Sequence, residues 1–270
     1  TGGEPLLRKD IERLIEQLAM LKTSQGHDID IALTTNGLLL KQKALALRNA
    51  GLSRLTVSLD ALDNTLFQRM SDTDHHVEEI LEGIAAGEAA GFSPIKINMV
   101  VQRSINESQI VPMAQYFKPS GHILRFIEFM DVGNTNGWRA SKVVPSSDIL
   151  AQLHQAMPIE PINQPVYGEV AKRWRYLDGQ GEVGAISSVT QAFCHDCTRA
   201  RLSADGQFFK CLFGQHGIDL RCLVRDGNAN DNNLRASIAA QWRLRHDQYS
   251  MLRDTQTSPA QHAEMSYLGG

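Results

Sequence analysis

Arg54-Leu55-Thr56-Val57-Ser58-Leu59-Asp60 and Ile95-Lys96-Ile97-Asn98-Met99-Val100-Val101 read as two short strands, and Val77 to Ala90, stopped by Gly91, reads as the helix between them. The same alternation extends to both sides. Upstream, Glu4-Pro5 opens a helix with proline in the first turn, where its missing N–H costs nothing. Leu7, Ile11, Leu14, Ile15, Leu18 and Leu21 follow at helical spacing up to Gly26. Ile29 to Leu33 is a strand, Thr34-Thr35-Asn36-Gly37 a turn, and Leu38 to Ala50 a helix stopped by Gly51. Downstream, a helix from Glu107 to Phe117 leads to the strand His122 to Phe129. Strands alternating with helices imply an α/β fold of β-α units around a parallel sheet. Chemistry in such folds collects at the C-terminal strand ends. The polar residues there are Thr34, Ser58 and Asp60, with Lys96, Asn98, Arg125 and Glu128 inside the later strands.

From about Gly137 the pattern changes, so the expected division is 1–140 and 141–270. Val170 to Leu177 and Glu182 to Ser188, around Asp178-Gly179-Gln180-Gly181, read as a hairpin. A Leu/Arg segment, Asp219 to Arg225, and a helix from Asn233 to Arg245 come later, and Thr255 to Glu264 is polar. Between them lies Phe193-Cys194-His195-Asp196-Cys197-Thr198-Arg199-Ala200-Arg201-Leu202, closed by Lys210-Cys211-Leu212. Asp205-Gly206 predicts a hairpin that folds Cys211 back towards Cys194 and Cys197. Arg199 and Arg201, two apart in an extended segment, face one side and suit an anion. Three thiolates fit a zinc site completed by His195 or Cys222, or an iron–sulfur cluster with one iron left open to substrate, or no metal at all.

The composition narrows the function classes. The 270 residues are 42% hydrophobic and 21% charged, enough apolar material for a real core. A net charge of −3 provides no basic field for nucleic acid. No apolar run spans a membrane, and four cysteines in a chain this long fit a reducing, cytoplasmic setting. No P-loop and no nucleophile elbow occur. Gly2-Gly3 reads either as a tight turn or as backbone left bare for a ligand. Met130 at a strand end suits packing, and Cys222 reads as a buried thiol outside any ligand set. Lys96 and Arg125, if they point inwards, need an anionic partner.

Taken together, Thr1-Gly2-Gly3-Glu4-Pro5, Thr34-Thr35-Asn36-Gly37, Val57-Ser58-Leu59-Asp60, Lys96-Ile97-Asn98 and Arg125 to Gly133 occur in a recognisable order. With Cys194-x-x-Cys197-x-Arg199-x-Arg201, Cys211-Leu212 and the terminal Gly269-Gly270, the chain resembles the GTP 3′,8-cyclase family of radical S-adenosylmethionine (SAM) enzymes, which opens molybdenum cofactor biosynthesis. The resemblance runs from end to end. It implies an incomplete (β/α)6 radical-SAM TIM-like barrel followed by a smaller α+β C-terminal domain carrying an Fe–S cluster. By the same resemblance Gly3, Ser58 and Met130 contact SAM, and Thr34, Lys96, Arg125, Arg199, Ala200 and Arg201 hold GTP. Cys194, Cys197 and Cys211 bind a 4Fe–4S cluster open to the guanine, and Gly269 and Gly270 form a tail that reaches the active site. The product in the family is 3′,8-cyclo-7,8-dihydro-GTP, made through a 5′-deoxyadenosyl radical.

Partners implied by the family are a flavodoxin or ferredoxin as electron donor, a downstream cyclic pyranopterin monophosphate synthase and a second copy in a homodimer. Family members carry a Cys-x-x-x-Cys-x-Tyr-Cys loop for a second 4Fe–4S cluster, and it would precede Thr1. The sequence as it stands is therefore expected to bind GTP without generating the radical, and to be poorly soluble with a sheet edge bare. Two other readings are a non-catalytic GTP-binding module stabilised by zinc or a cluster, and another radical SAM maturase with an auxiliary cluster.

Overall fold

A computed structural model describes residues 1–163, 168–192, 194, 197–225, 230–243, 245, 249–252 and 263–268. By internal contacts the chain divides into two units: residues 4–129 with 140–190, and residues 1–3, 130–139 and 191–270. The expected cut at 140/141 falls elsewhere because residues 140–190 return to the first unit.

In that first unit a short 3-10 turn, Pro5–Leu7, precedes α1 (Ile11–Ala19). The single helix expected up to Gly26 is thus interrupted. Asp10 sits in the left-handed region at φ 56°, and past Ala19 the chain turns back through the Thr23 N–H to His27 carbonyl bond of 2.8 Å. There follow β1 (Ala32–Thr35), α2 (Leu40–Asn49), β2 (Arg54–Ser58), α3 (Asn64–Ser71), α4 (Val77–Ala89), β3 (Lys96–Val101), α5 (Ile110–Phe117) and β4 (Ile123–Glu128). After residue 140 come α6 (Ser146–Ala156), β5 (Ile159–Pro161), β6 (Lys172–Tyr176) and β7 (Glu182–Ile186). The predicted hairpin is present as β6–β7, and β7 adds in parallel to β4. The result is one seven-stranded sheet in the order β1-β2-β3-β4-β7-β6-β5, parallel from β1 through β7 and antiparallel beyond.

Alternation within the strands sorts the two faces. Leu55, Val57, Ile97, Met99, Leu124 and Phe126 are buried in one core with Leu40 and Leu47 of α2, Ile80 and Ile84 of α4, Met113 of α5 and Leu153 of α6. Each large side chain buried there contributes roughly 1.5–3 kcal/mol. The intervening residues Thr56, Ser58, Lys96, Asn98 and Arg125 are left on the opposite face. That face carries the polar groups.

The second unit holds β8 (Arg201–Leu202), β9 (Gln207–Phe209) and β10 (Ile218–Asp219) in an antiparallel sheet of order β10-β9-β8. It continues with α7 (Leu220–Arg225), α8 (Asp231–Arg243), α9 (Tyr249–Leu252) and α10 (Met265–Leu268). Phe208, Phe209, Phe213, Leu220 and Leu268 are buried there, with Phe213 stacked on Tyr249 at 4.6 Å between ring centres. Cys222 is exposed on α7, its thiol donating to Asp219 at 3.3 Å, which corrects the expectation of a buried thiol. No helix among the described residues is long and apolar enough to cross a membrane.

Candidate functional site

In the first unit, strand register lines the polar residues into two rows. Ser58 pairs with Asn98, Asn98 with Arg125, Arg125 with Gly184 and Gly184 with Arg173. One step earlier, Thr34 pairs with Thr56, Thr56 with Lys96 and Lys96 with Ile123. Paired residues project to the same face, so Thr34, Ser58, Lys96 and Arg125, separated in the sequence by up to 91 positions, share one surface. Arg125 Nε donates to Asn98 Oδ1 at 2.9 Å, which fixes the guanidinium along the sheet. Lys96, Arg125, Arg173, Glu169, Glu182 and Gly184 line a cavity of about 200 Å³.

The cavity gathers three cations, Lys96, Arg125 and Arg173, together with the carboxylates of Glu169 and Glu182. Burial first, and then the guanidiniums of Arg125 and Arg54, pull the Lys96 ammonium below its ordinary value, with Glu169 opposing. Burial likewise lowers Arg125, again with Arg54 adding to the effect and Glu169 opposing it. Among the described residues no carboxylate lies within ion-pairing distance of Lys96. Cations gathered and desolvated in this way destabilise one another until an anion enters.

Glu4, which the sequence reading left without a role, holds the end of β1. Its carboxylate accepts from Thr35 Oγ1 at 2.6 Å, the Asn36 N–H at 2.7 Å and the Leu6 N–H at 3.0 Å. Glu4 and the Thr-Thr-Asn-Gly turn are therefore one structural device. Glu128 lies on the helix-covered face, three residues from Arg125, and is fully buried. It accepts from the Ser146, Val189 and Thr190 N–H groups and from the hydroxyls of Ser146 and Thr190, so it belongs to the scaffold.

In the second unit, Gly2 sits at φ +107°, and a Cβ there would lie 2.5 Å from the Tyr267 carbonyl. The Gly3 N–H donates to the Ser266 carbonyl at 2.8 Å, while the space where a Gly3 side chain would stand is open. Gly2 thus admits the α10 backbone, and the space beside Gly3 is empty of protein atoms. The loop that begins at Met130 is fixed by Tyr249, whose hydroxyl donates to Asp131 at 2.7 Å, and by Glu264, which accepts from the Asn134 N–H at 2.9 Å. Gly269 and Gly270 lie outside the described residues.

The Asp205-Gly206 hairpin forms as read. Arg201 pairs with Phe209, and Gly206 takes φ +88° in the turn. Cys194, Cys197 and Cys211 are all half-buried, and none of the four cysteines is disulfide-bonded. The Cys197 N–H reaches the Cys194 carbonyl at 3.4 Å, a tight Cys-x-x-Cys turn. Burial raises the Cys197 thiol, but hydrogen bonds from Arg199 and Arg245 outweigh this and bring it down to about 7. Arg245 donates to Cys197 Sγ at 3.2 Å and to its carbonyl at 2.6 Å. Burial and then Arg199 lower Arg201, while Cys211 and Cys197 act on it in the opposite sense. A lowered thiol suits Cys197 to a role as a metal ligand. Among the described residues no three His, Cys, Asp or Glu side chains converge on a single ion.

Comparison with known proteins gives concordant results. Residues 1–117 match the radical SAM superfamily, and residues 122–251 match Molybdenum Cofactor Synthesis C. The chain is 47% identical to the GTP 3′,8-cyclase of Acidothermus cellulolyticus over 294 residues, covering all of this chain and 80% of the relative. It is also 47% identical to the GTP 3′,8-cyclases of Xanthomonas campestris pv. campestris and Staphylococcus saprophyticus, covering all of this chain and 78% and 79% of those proteins.

Proposed function

The chain belongs to the GTP 3′,8-cyclase family of radical SAM enzymes, and from that premise we propose how its own residues serve the reaction. It is a radical SAM lyase of molybdenum cofactor biosynthesis, acting on GTP with SAM and a 4Fe–4S cluster. When bound, SAM and its cluster supply the 5′-deoxyadenosyl radical that removes a ribose hydrogen, and the protein contributes binding and orientation.

Lys96 and Arg125 are phosphate-binding groups. The observation that carries this assignment is the pair of desolvated cations lining one cavity, with Arg125 braced by Asn98. A lysine meets phosphate as a point charge and an arginine as a planar fork. Thr34, on the neighbouring row, offers a hydroxyl to the same nucleotide. Arg199, the Ala200 backbone and Arg201 are nucleotide-binding groups of the second unit. Gly3, Ser58 and Met130 are the SAM contacts, with Gly3 chosen for its bare backbone. Cys194, Cys197 and Cys211 would hold the C-terminal 4Fe–4S cluster, at which the guanine would bind. Arg245 keeps the Cys197 thiolate oriented.

Anaerobic reconstitution of the full-length protein, carrying the family's Cys-x-x-x-Cys-x-Tyr-Cys loop, followed by chromatographic assay for 5′-deoxyadenosine and cyclised nucleotide, with and without GTP, tests the activity. Formation of both products only when GTP is present supports it. Nucleotide titration of the Lys96→Ala protein tests the phosphate assignment: a loss of roughly tenfold or more in affinity, the weight of one desolvated charge contact, is expected.

A further inference from the structure

The polar row does not stop at Arg125. Across β7 it passes Gly184 and reaches Arg173 on β6, both residues being in direct register. Strands lie about 4.8 Å apart, so the Cα atoms of Arg125 and Arg173 stand roughly 10 Å apart on one face. Gly184, between them, has no side chain, and the aliphatic stem of Arg125 lies over it. A Cβ there would come 3.1 Å from Arg125 Cγ. The Arg125 guanidinium is directed towards Asn98 and Thr56, and Arg173 stands on the far side of the Arg125 stem. With Lys96, one cavity lining thus holds three cations, which suits a polyanion rather than a single carboxylate.

Arg173 is also held in one orientation. Its Nε and Nη2 donate to the two oxygens of Glu182 at 3.2 and 2.6 Å, which leaves Nη1 for another acceptor. Glu169 is exposed and completes the lining of the same cavity. Its charge acts on Lys96, Arg125 and Arg173 alike. The cavity is large enough for about six or seven waters at ~30 Å³ each, and therefore for a phosphoryl group.

We propose that Arg173, oriented by Glu182, is a third phosphate-binding residue of this cavity, and that Glu169, exposed at its lining, opposes the entry of the nucleotide's phosphates. This rests on the assignment of Lys96 and Arg125 to the phosphates of GTP. It adds a cation from the β6–β7 hairpin and a rim carboxylate that the phosphates must approach on entry.

The test is direct titration of the cluster-loaded protein with GTP and with GMP. R173M is expected to weaken GTP binding about tenfold and GMP binding much less, so that the preference for the triphosphate falls. R173M/E182Q, which removes the carboxylate left unpaired, keeps that loss, and R173K recovers part of it. E169Q moves the other way and tightens GTP severalfold, an outcome that does not depend on how well Arg173 variants fold. If K96A loses GTP affinity while R173M and E169Q both bind GTP as the parent does, the inference falls and the assignment of Lys96 stands. If R173M weakens GTP and GMP equally, its role is structural and the inference also falls. A parent protein that binds no GTP overturns both.

Discussion

Glu128→Gln changes one atom of a fully buried carboxylate, and the structure says how much should follow. Glu128 Oε1 accepts from the Ser146 N–H at 2.8 Å, from Ser146 Oγ at 2.9 Å and from Thr190 Oγ1 at 2.5 Å. Oε2 accepts from the Val189 and Thr190 N–H groups, both at 2.8 Å. Burial alone would raise this carboxyl, but its donors outweigh burial and hold it below its ordinary value, so it is charged in the folded protein. An amide must turn its NH2 towards one set of donors, leaving at least one backbone N–H without an acceptor. Each such buried, unmatched group costs about 1–3 kcal/mol, so the amide should destabilise the unit by about 3 kcal/mol in total and alanine by more. A local opening easier by 3 kcal/mol accelerates exchange of the Ser146, Val189 and Thr190 amides by about two orders of magnitude. Hydrogen exchange with mass spectrometry reads this directly, with denaturant midpoints as the global measure. The sign of the pH dependence follows from the lowered value. The contribution is present above the ordinary carboxyl value of 4.5 and is lost as the pH falls through the lower folded value. The amide variant should lack that acid limb. A Glu128→Gln protein with parental exchange and an unchanged acid limb would refute the reasoning.

Other perturbations test other parts of the account. Glu4→Ala removes three acceptor bonds at the end of β1 and should speed exchange of the Asn36 amide at least tenfold, about 1.4 kcal/mol. Gly2→Ala places a Cβ against the Tyr267 carbonyl at an unfavourable φ, and should release α10 and make the C-terminal segment readily cleaved in limited proteolysis. Asp60 accepts from the Val100 N–H at 2.7 Å, yet burial pushes its carboxyl up to about 6. Its ionisation therefore removes stability as the pH rises from about 4 to 6. Asp60→Asn should be more stable than the parent at pH 7, with the gap closing below pH 4 in thermal melts. Cys211→Ser should lower bound iron and sulfide, whereas Cys222→Ser, at an exposed thiol on α7, should leave both unchanged.

Much of the architecture was legible because it is local. Residues 54–60, 77–90 and 95–101 announce a strand, a helix and a strand by periodicity, and Asp205-Gly206 announces its own hairpin. What pairs with what across long separations was not legible. The β6–β7 hairpin was visible, but nothing local says that β7 docks on β4 and carries Arg173 into the row of Arg125. Helix α3 went unnoticed within a polar stretch, where it is started by Asp63 accepting from the Leu66 N–H. Strand parity separates Glu128 from Arg125, three residues away, and places them on opposite faces. Their shared place among the polar residues inside the later strands does not by itself reveal that split. Cys222 looked buried because Leu220 and Leu223 flank it, yet in a short helix such neighbours face other directions.

The central claim is that the three cysteines of the second unit hold a cluster at which GTP binds. The most direct measurement is the electron paramagnetic resonance spectrum of anaerobically prepared, reduced protein with iron and sulfide quantified, recorded before and after saturating GTP. A shifted cluster signal, absent from the Cys211→Ser protein, is predicted. A sample rich in iron and sulfide whose spectrum is unmoved by GTP would contradict it.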